Sequence, residues 1–126
     1  LFCKTLRELS LEDTVIPIVA RSEVVARFWN TPLSLIFIDG GHTVETVFTD
    51  YNAWVSHLLP GGYLVLHDIF PDPALGGQAP YCIYSMALAS GLFKEFLRIQ
   101  TLGVLKRAPA GTLTDELKKC WSRLQD

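Results

Sequence analysis

Leu35-Ile36-Phe37-Ile38-Asp39-Gly40-Gly41-His42 is the stretch from which the rest of the chain is best read. Ser34 to Ile38 is a short, nearly unbroken apolar run without helical spacing, ending in a carboxylate and two glycines. Such a run is expected as a buried parallel strand. Asp39 then stands at the strand's carboxyl end, and His42 stands where a helix begins. In open α/β sheets, ligands bind outside the carboxyl ends of the strands. A second copy of the arrangement follows, with Tyr63-Leu64-Val65-Leu66 running into His67-Asp68. Two strand ends carrying two aspartates and two histidines are the strongest chemical signal in the sequence.

Outward from these strands, helices and further strands alternate. Leu1 to Leu9 reads as the remainder of a helix, and Ser10 to Thr14 as a polar connector. Val15–Val19 is short and β-branched and is expected as a strand, with Pro17 arguing for an edge or irregular place. Ser22 is expected to cap a helix whose apolar face is Val24, Val25, Phe28 and Trp29, ended by Asn30-Thr31-Pro32. Thr43 can cap the next helix, where Val44, Val47, Phe48, Tyr51, Trp54, Val55 and Leu58 follow spacings of three and four. The aromatics Phe48, Tyr51 and Trp54 read as core packing, and His57 as a helix-terminal residue. Pro60-Gly61-Gly62 turns the chain into the strand Tyr63–Asp68.

Ile69 to Pro80, rich in proline and glycine, is a candidate active-site lid. Tyr81 to Ser90 reads as a helix closed by Gly91, and Phe93–Gln100 and Leu102–Lys106 as two strands joined by a turn. Thr112-Leu113-Thr114-Asp115 resembles a capping box opening a terminal helix to Leu124. The expectation is one α/β domain over residues 1–126: a mostly parallel sheet with helices on its faces and a late antiparallel hairpin.

Composition narrows the function. The chain has 126 residues, 49% hydrophobic and 19% charged, enough for one core. A net charge of −2 without a basic face argues against a nucleic-acid partner. No apolar run approaches the roughly 20 residues of a membrane span, and no signal peptide is visible. The three cysteines form no Cys-x-x-Cys pair, which argues against a disulfide framework and makes the cytoplasm the expected compartment. The chain starts at Leu1 without a methionine, which reads as a fragment or a trimmed chain.

Taken together, the strand ending in Ile38-Asp39-Gly40-Gly41-His42, the amphipathic helix, Leu59-Pro60-Gly61-Gly62, the strand ending in His67-Asp68 and the loop after it resemble the class I S-adenosylmethionine-dependent methyltransferases. The small-molecule O-methyltransferase and cephalosporin-hydroxylase-like branch is the nearest, from about Leu9 to Arg107. The resemblance implies a Rossmann-like sheet, S-adenosylmethionine as cofactor and a small-molecule hydroxyl as acceptor. It implies that Asp39 and Asp68 are metal ligands and that His42 is the base that takes the hydroxyl proton. Asp39 and Ser22 fall at cofactor-side positions, Ser22 where the adenine often lies. His67 departs from the usual acid at its position; it remains a candidate ligand for a softer metal and counts against Mg²⁺.

The family's glycine-rich cofactor loop and its ribose-binding acid belong to strands that would precede Leu1. The resemblance therefore implies the carboxyl-terminal part of a methyltransferase domain, lacking its first strands. It also implies weak or absent cofactor binding by this chain alone, and a free edge along Ser34–Asp39 covered by a second copy, by Val15–Val19 or by an upstream fragment. Two other classes stay open. One is a non-catalytic methyltransferase-like module. The other is a metal-dependent hydrolase, prompted by His67-Asp68, although the helical phosphohydrolases carry that dipeptide on a helix.

Overall fold

The computed structural model describes residues 1–110. The terminal helix expected from Leu113 to Leu124, with its capping box, lies outside them. The elements in order are α1 (Phe2–Glu8), α2 (Ser22–Phe28), β1 (Leu33–Ile38), α3 (Val44–Trp54), a 3₁₀ turn (Val55–His57), β2 (Leu58–Leu66), α4 (Ala79–Ala89), β3 (Phe93–Ile99) and β4 (Leu102–Arg107). The strands form one sheet in the order β1-β2-β4-β3. The β1–β2 pair is parallel, while β4 is antiparallel to both β2 and β3. The sheet thus begins parallel, as expected for β1 and β2, and ends in the expected hairpin.

Local chemistry explains most of these elements. Thr43 Oγ1 accepts the Thr46 N–H at 3.2 Å, capping α3. Gly91, at φ +74°, follows α4 in the left-handed region where glycine carries no steric cost. The Pro60-Gly61-Gly62 segment is drawn into β2 as an irregularity: Leu33 pairs with Leu58, but Leu35 pairs with Tyr63. Gly61 there has φ +78°.

The core lies on one face of the sheet. Ile36 and Ile38 of β1, Leu64 and Leu66 of β2 and Leu105 of β4 pack under Val47 and Tyr51 of α3 and Ile83, Tyr84 and Ala87 of α4. Period-two alternation along the strands sends their other side chains the opposite way. On that face Leu35, Phe37 and Phe96 are exposed. The expectation of helices on both faces is therefore corrected: among the described residues, the helices that pack on the strands cover one. The outer edge of β1 likewise has no strand partner among the described residues.

Three local expectations also change. Val15–Val19 forms no strand, and Ile16, Ile18 and Val19 are exposed. β-Branching favours a strand only where a neighbouring strand offers its ladder, and among the described residues none does. Ser22 is the first residue of α2 and not its cap; the cap position is Arg21, with no side-chain bond. Phe48 is 43% exposed and so stands outside the core, because the apolar stripe of α3 is wider than the face the sheet covers.

Gly103 shows how tightly the hairpin packs on α4. A β-carbon there would lie 2.5 Å from Tyr84 Cε2 and 3.3 Å from Ile69 Cγ1. Tyr84 is fully enclosed and its hydroxyl bonds Glu95, so the ring has nowhere to retreat. Burial, reinforced by Glu95, holds the Tyr84 phenol well above its ordinary pKa, so it stays a neutral donor. Gly103→Ala is expected to cost about 1–3 kcal/mol, as overpacking does. A urea midpoint unchanged from wild type would show that the ring yields instead.

Candidate metal and ligand site

The parallel register builds the site. Ile38 pairs with Leu66 at the carboxyl ends of β1 and β2. The next residues, Asp39 and His67, therefore emerge side by side, and the His67 N–H donates to the Ile38 carbonyl at 3.3 Å. His67 Nδ1 lies 3.1 Å from Asp39 Oδ1. An extended Asp68 would point to the opposite side. Its φ is +58°, a left-handed conformation that aspartate tolerates better than most residues. That kink returns its carboxylate to the site, with Oδ1 also 3.1 Å from His67 Nδ1. Immediately after it, the Ile69 N–H donates to the Thr101 carbonyl at 2.8 Å, and the Ile69 side chain is buried. The β3–β4 turn thus holds the kink in place.

The result is a compact donor set. One ligand atom each from Asp39, His67 and Asp68 lies within 4.8 Å of the others, and all three side chains are partly open to solvent. Two ligands cis on an octahedron with bonds of about 2.1 Å stand about 3.0 Å apart. The two 3.1 Å separations match that edge, so the residues present fit a small divalent cation. Ca²⁺, with bonds of about 2.3–2.6 Å, needs wider spacing. Two carboxylates facing one imidazole also leave the pocket negative, which favours a cation.

His42 lies on the rim of the same small pocket, which Gly40, Gly41, Val47 and Pro80 help to line. Gly41 is required at the turn: a β-carbon there would sit 2.7 Å from Thr46 Cβ, on the first turn of α3. Of the stretch expected as a lid, only Pro80 lines the pocket, and it stands in the first turn of α4. The loop's middle is tied to itself, with Gln78 Nε2 donating to the Phe70 and Gly76 carbonyls.

A second cleft, of about 260 Å³, adjoins the first and shares Ile38, Asp39 and Gly40 with it. Ser22, Asp50 and Trp54 complete its polar and aromatic lining. Ser22 is therefore separated from the donor cluster but joined to Asp39 through this cleft. Trp54 Nε1 donates to Ser22 Oγ at 2.7 Å, locking α2 to α3 across the opening. Asp50 and Trp54 were not among the residues expected at a site. Asp50 had one available signal: it lies between Val47 and Tyr51 on α3, so it flanks the buried stripe, and its Oδ2 is 3.2 Å from where a β-carbon at Gly40 would stand. His57 is elsewhere, its Nε2 bonding the Ala26 carbonyl at 2.9 Å.

Among solved structures, the fold resembles MycE, a methyltransferase from the mycinamycin biosynthetic pathway. Its complex with Mg, SAH and mycinamycin VI aligns with a TM-score of 0.51 and 17% identity, over 70% of this chain and 29% of that one. A crystal form with Mg and SAH aligns at 0.47 and 21% identity over the same shares. The chain thus spans less than a third of the length of the protein it resembles. Residues 3–69, just over half of the chain, match the family described as a methyltransferase domain, a span that holds Ser22, Asp39, His42, Asp50, His67 and Asp68; the chain belongs to that methyltransferase family.

Proposed function

We propose that this chain serves S-adenosylmethionine-dependent methyl transfer to a hydroxyl of a small molecule, assisted by a divalent cation. The observation that carries the reading is the pair of adjoining clefts with Asp39 as their common wall. One offers an indole, a hydroxyl and carboxylates, the partners that a purine and a ribose diol use. At about 260 Å³ it is smaller than the roughly 300–1,000 Å³ of a complete small-molecule site, and suits part of the cofactor. The other offers the donor cluster with an imidazole at its rim.

When bound, the cofactor supplies an electrophilic sulfonium methyl, and the cation supplies positive charge that favours the ionised acceptor oxygen. The chain's own residues do the rest. Asp39, His67 and Asp68 would hold the cation. Asp39 also lines the cofactor side, so one carboxylate fixes the two reactants relative to each other. His42, at the open rim, would accept the proton of the acceptor hydroxyl. The products are a methyl ether and S-adenosylhomocysteine. Among the described residues no helix is long and apolar enough to cross a membrane. Exposed free thiols at Cys3 and Cys82 suit a reducing cytoplasm.

Calorimetric titration with S-adenosylhomocysteine, followed by transfer of labelled methyl to a panel of hydroxylated small molecules, tests the reading. The expected result is weak but saturable binding, with Kd approaching about 1 mM, weakened further in Trp54→Ala, and label in an ether product. No saturation at the upper limit would favour the non-catalytic module instead.

A further inference from the structure

We propose that the Asp39–His67–Asp68 centre selects a divalent ion of the first transition series over Mg²⁺, with the His67 imidazole as the discriminating ligand. The inference rests on the reading of this cluster as a cation site and concerns which cation it takes.

The geometry leaves Mg²⁺ little choice. His67 Nδ1 lies between the carboxylates, 3.1 Å from an oxygen of each. A cation held by both Asp39 and Asp68 therefore meets the imidazole nitrogen as its third protein ligand. Mg²⁺ is a hard ion that prefers an all-oxygen octahedron and keeps several waters. Accepting this set costs it an oxygen ligand; avoiding the nitrogen costs it a carboxylate. Cobalt, nickel and zinc ions gain from the same nitrogen, since imidazole suits them and their affinities for mixed nitrogen and oxygen sites rise along the series. The 3.1 Å edges fit their bond lengths as well as those of Mg²⁺, so spacing does not offset the donor preference.

The backbone fixes where the His67 side chain emerges between the two carboxylates. Its N–H is bonded to the Ile38 carbonyl, and the following kink is held through Ile69 to Thr101. Solvent reaches all three side chains, so water can complete the coordination shell. A cation at this position would take the Nδ1 lone pair, so the ligating imidazole would be the neutral tautomer with its hydrogen on Nε2.

The test is titration of the metal-stripped protein with Co²⁺, read by visible absorption, with Mg²⁺ as competitor. Displacement of Co²⁺ is expected to need at least about tenfold more Mg²⁺. His67→Glu should bring the two ions close to parity, and Asp39→Asn should remove Co²⁺ binding. Equal competition by Mg²⁺ in the wild type, or a ratio unchanged in His67→Glu, overturns the selectivity while leaving a cation site. Failure of both ions to bind overturns the site itself. Neither result touches S-adenosylhomocysteine binding, which is measured separately.

Discussion

Leu66→Ala is expected to lose about 2–5 kcal/mol of stability, the largest loss at any single strand position. β2 runs between β1 and β4, and Leu66 pairs with Ile38 on one side and Gly103 on the other. It has no exposed surface. Removing its isobutyl group opens a cavity walled by two strands and by helix side chains that are already packed. Such walls relax only in part, so the cavity adds to the lost burial. A complete domain has only about 5–15 kcal/mol in hand, and one face of this sheet contributes little, with Leu35 and Phe37 half in water. The urea midpoint should fall sharply with the slope unchanged. Leu59→Ala, on the same strand but 44% exposed, should stay within about 0.5 kcal/mol of wild type. Equal losses at the two positions would mean that β2 is not the centre of the core.

The same contrast explains what was legible in the sequence. β1, β2 and α3 carry their own signals: an apolar run too short for a helix, strand ends marked by Asp39 and His67, and a threonine placed to cap. Each reports on contacts close in sequence or on burial that any sheet would provide. Val15–Val19 has strand chemistry but no strand beside it, and propensity cannot supply a neighbour. Ser22 looked like a cap because serine often is one; its hydroxyl is instead taken by Trp54, far along the chain.

The site divides along the same line. Asp39 and Asp68 could be placed at one rim because parallel strands align their ends. That His67 stands between them follows from the Ile38–Leu66 register, and that Asp68 turns back follows from a left-handed kink held by the β3–β4 turn. Register and distant hydrogen bonds leave no mark on local composition. The Arg107 guanidinium, which donates to the carbonyls of Val55 in the 3₁₀ turn and Leu58 at the start of β2, is a further case. Nothing near Arg107 in sequence announces that partner.

If the proposed methyl transfer holds, His42→Ala is expected to lower it by about 100- to 10,000-fold while leaving S-adenosylhomocysteine and metal affinities unchanged. The expectation follows from position. His42 lines the pocket that holds Asp39, His67 and Asp68, yet it is absent from the donor cluster and is exposed. An exposed imidazole beside the proposed cation site can meet an incoming hydroxyl without giving up a ligand role. His67 cannot, because its Nδ1 is directed at two carboxylates. The two histidines should therefore separate in experiment. Loss of His67 should show first in metal binding, and loss of His42 in turnover at saturating metal and cofactor. A general base can also be replaced from solution, so added imidazole should restore part of the His42→Ala rate and none of the Asp39→Asn rate. Unfolding midpoints should not move, since His42 buries no surface that the core needs. If turnover survives His42→Ala within about threefold, the proton leaves by another route. The remaining acceptors at the rim would then be the carboxylates that the cation occupies, and solvent water would be the base.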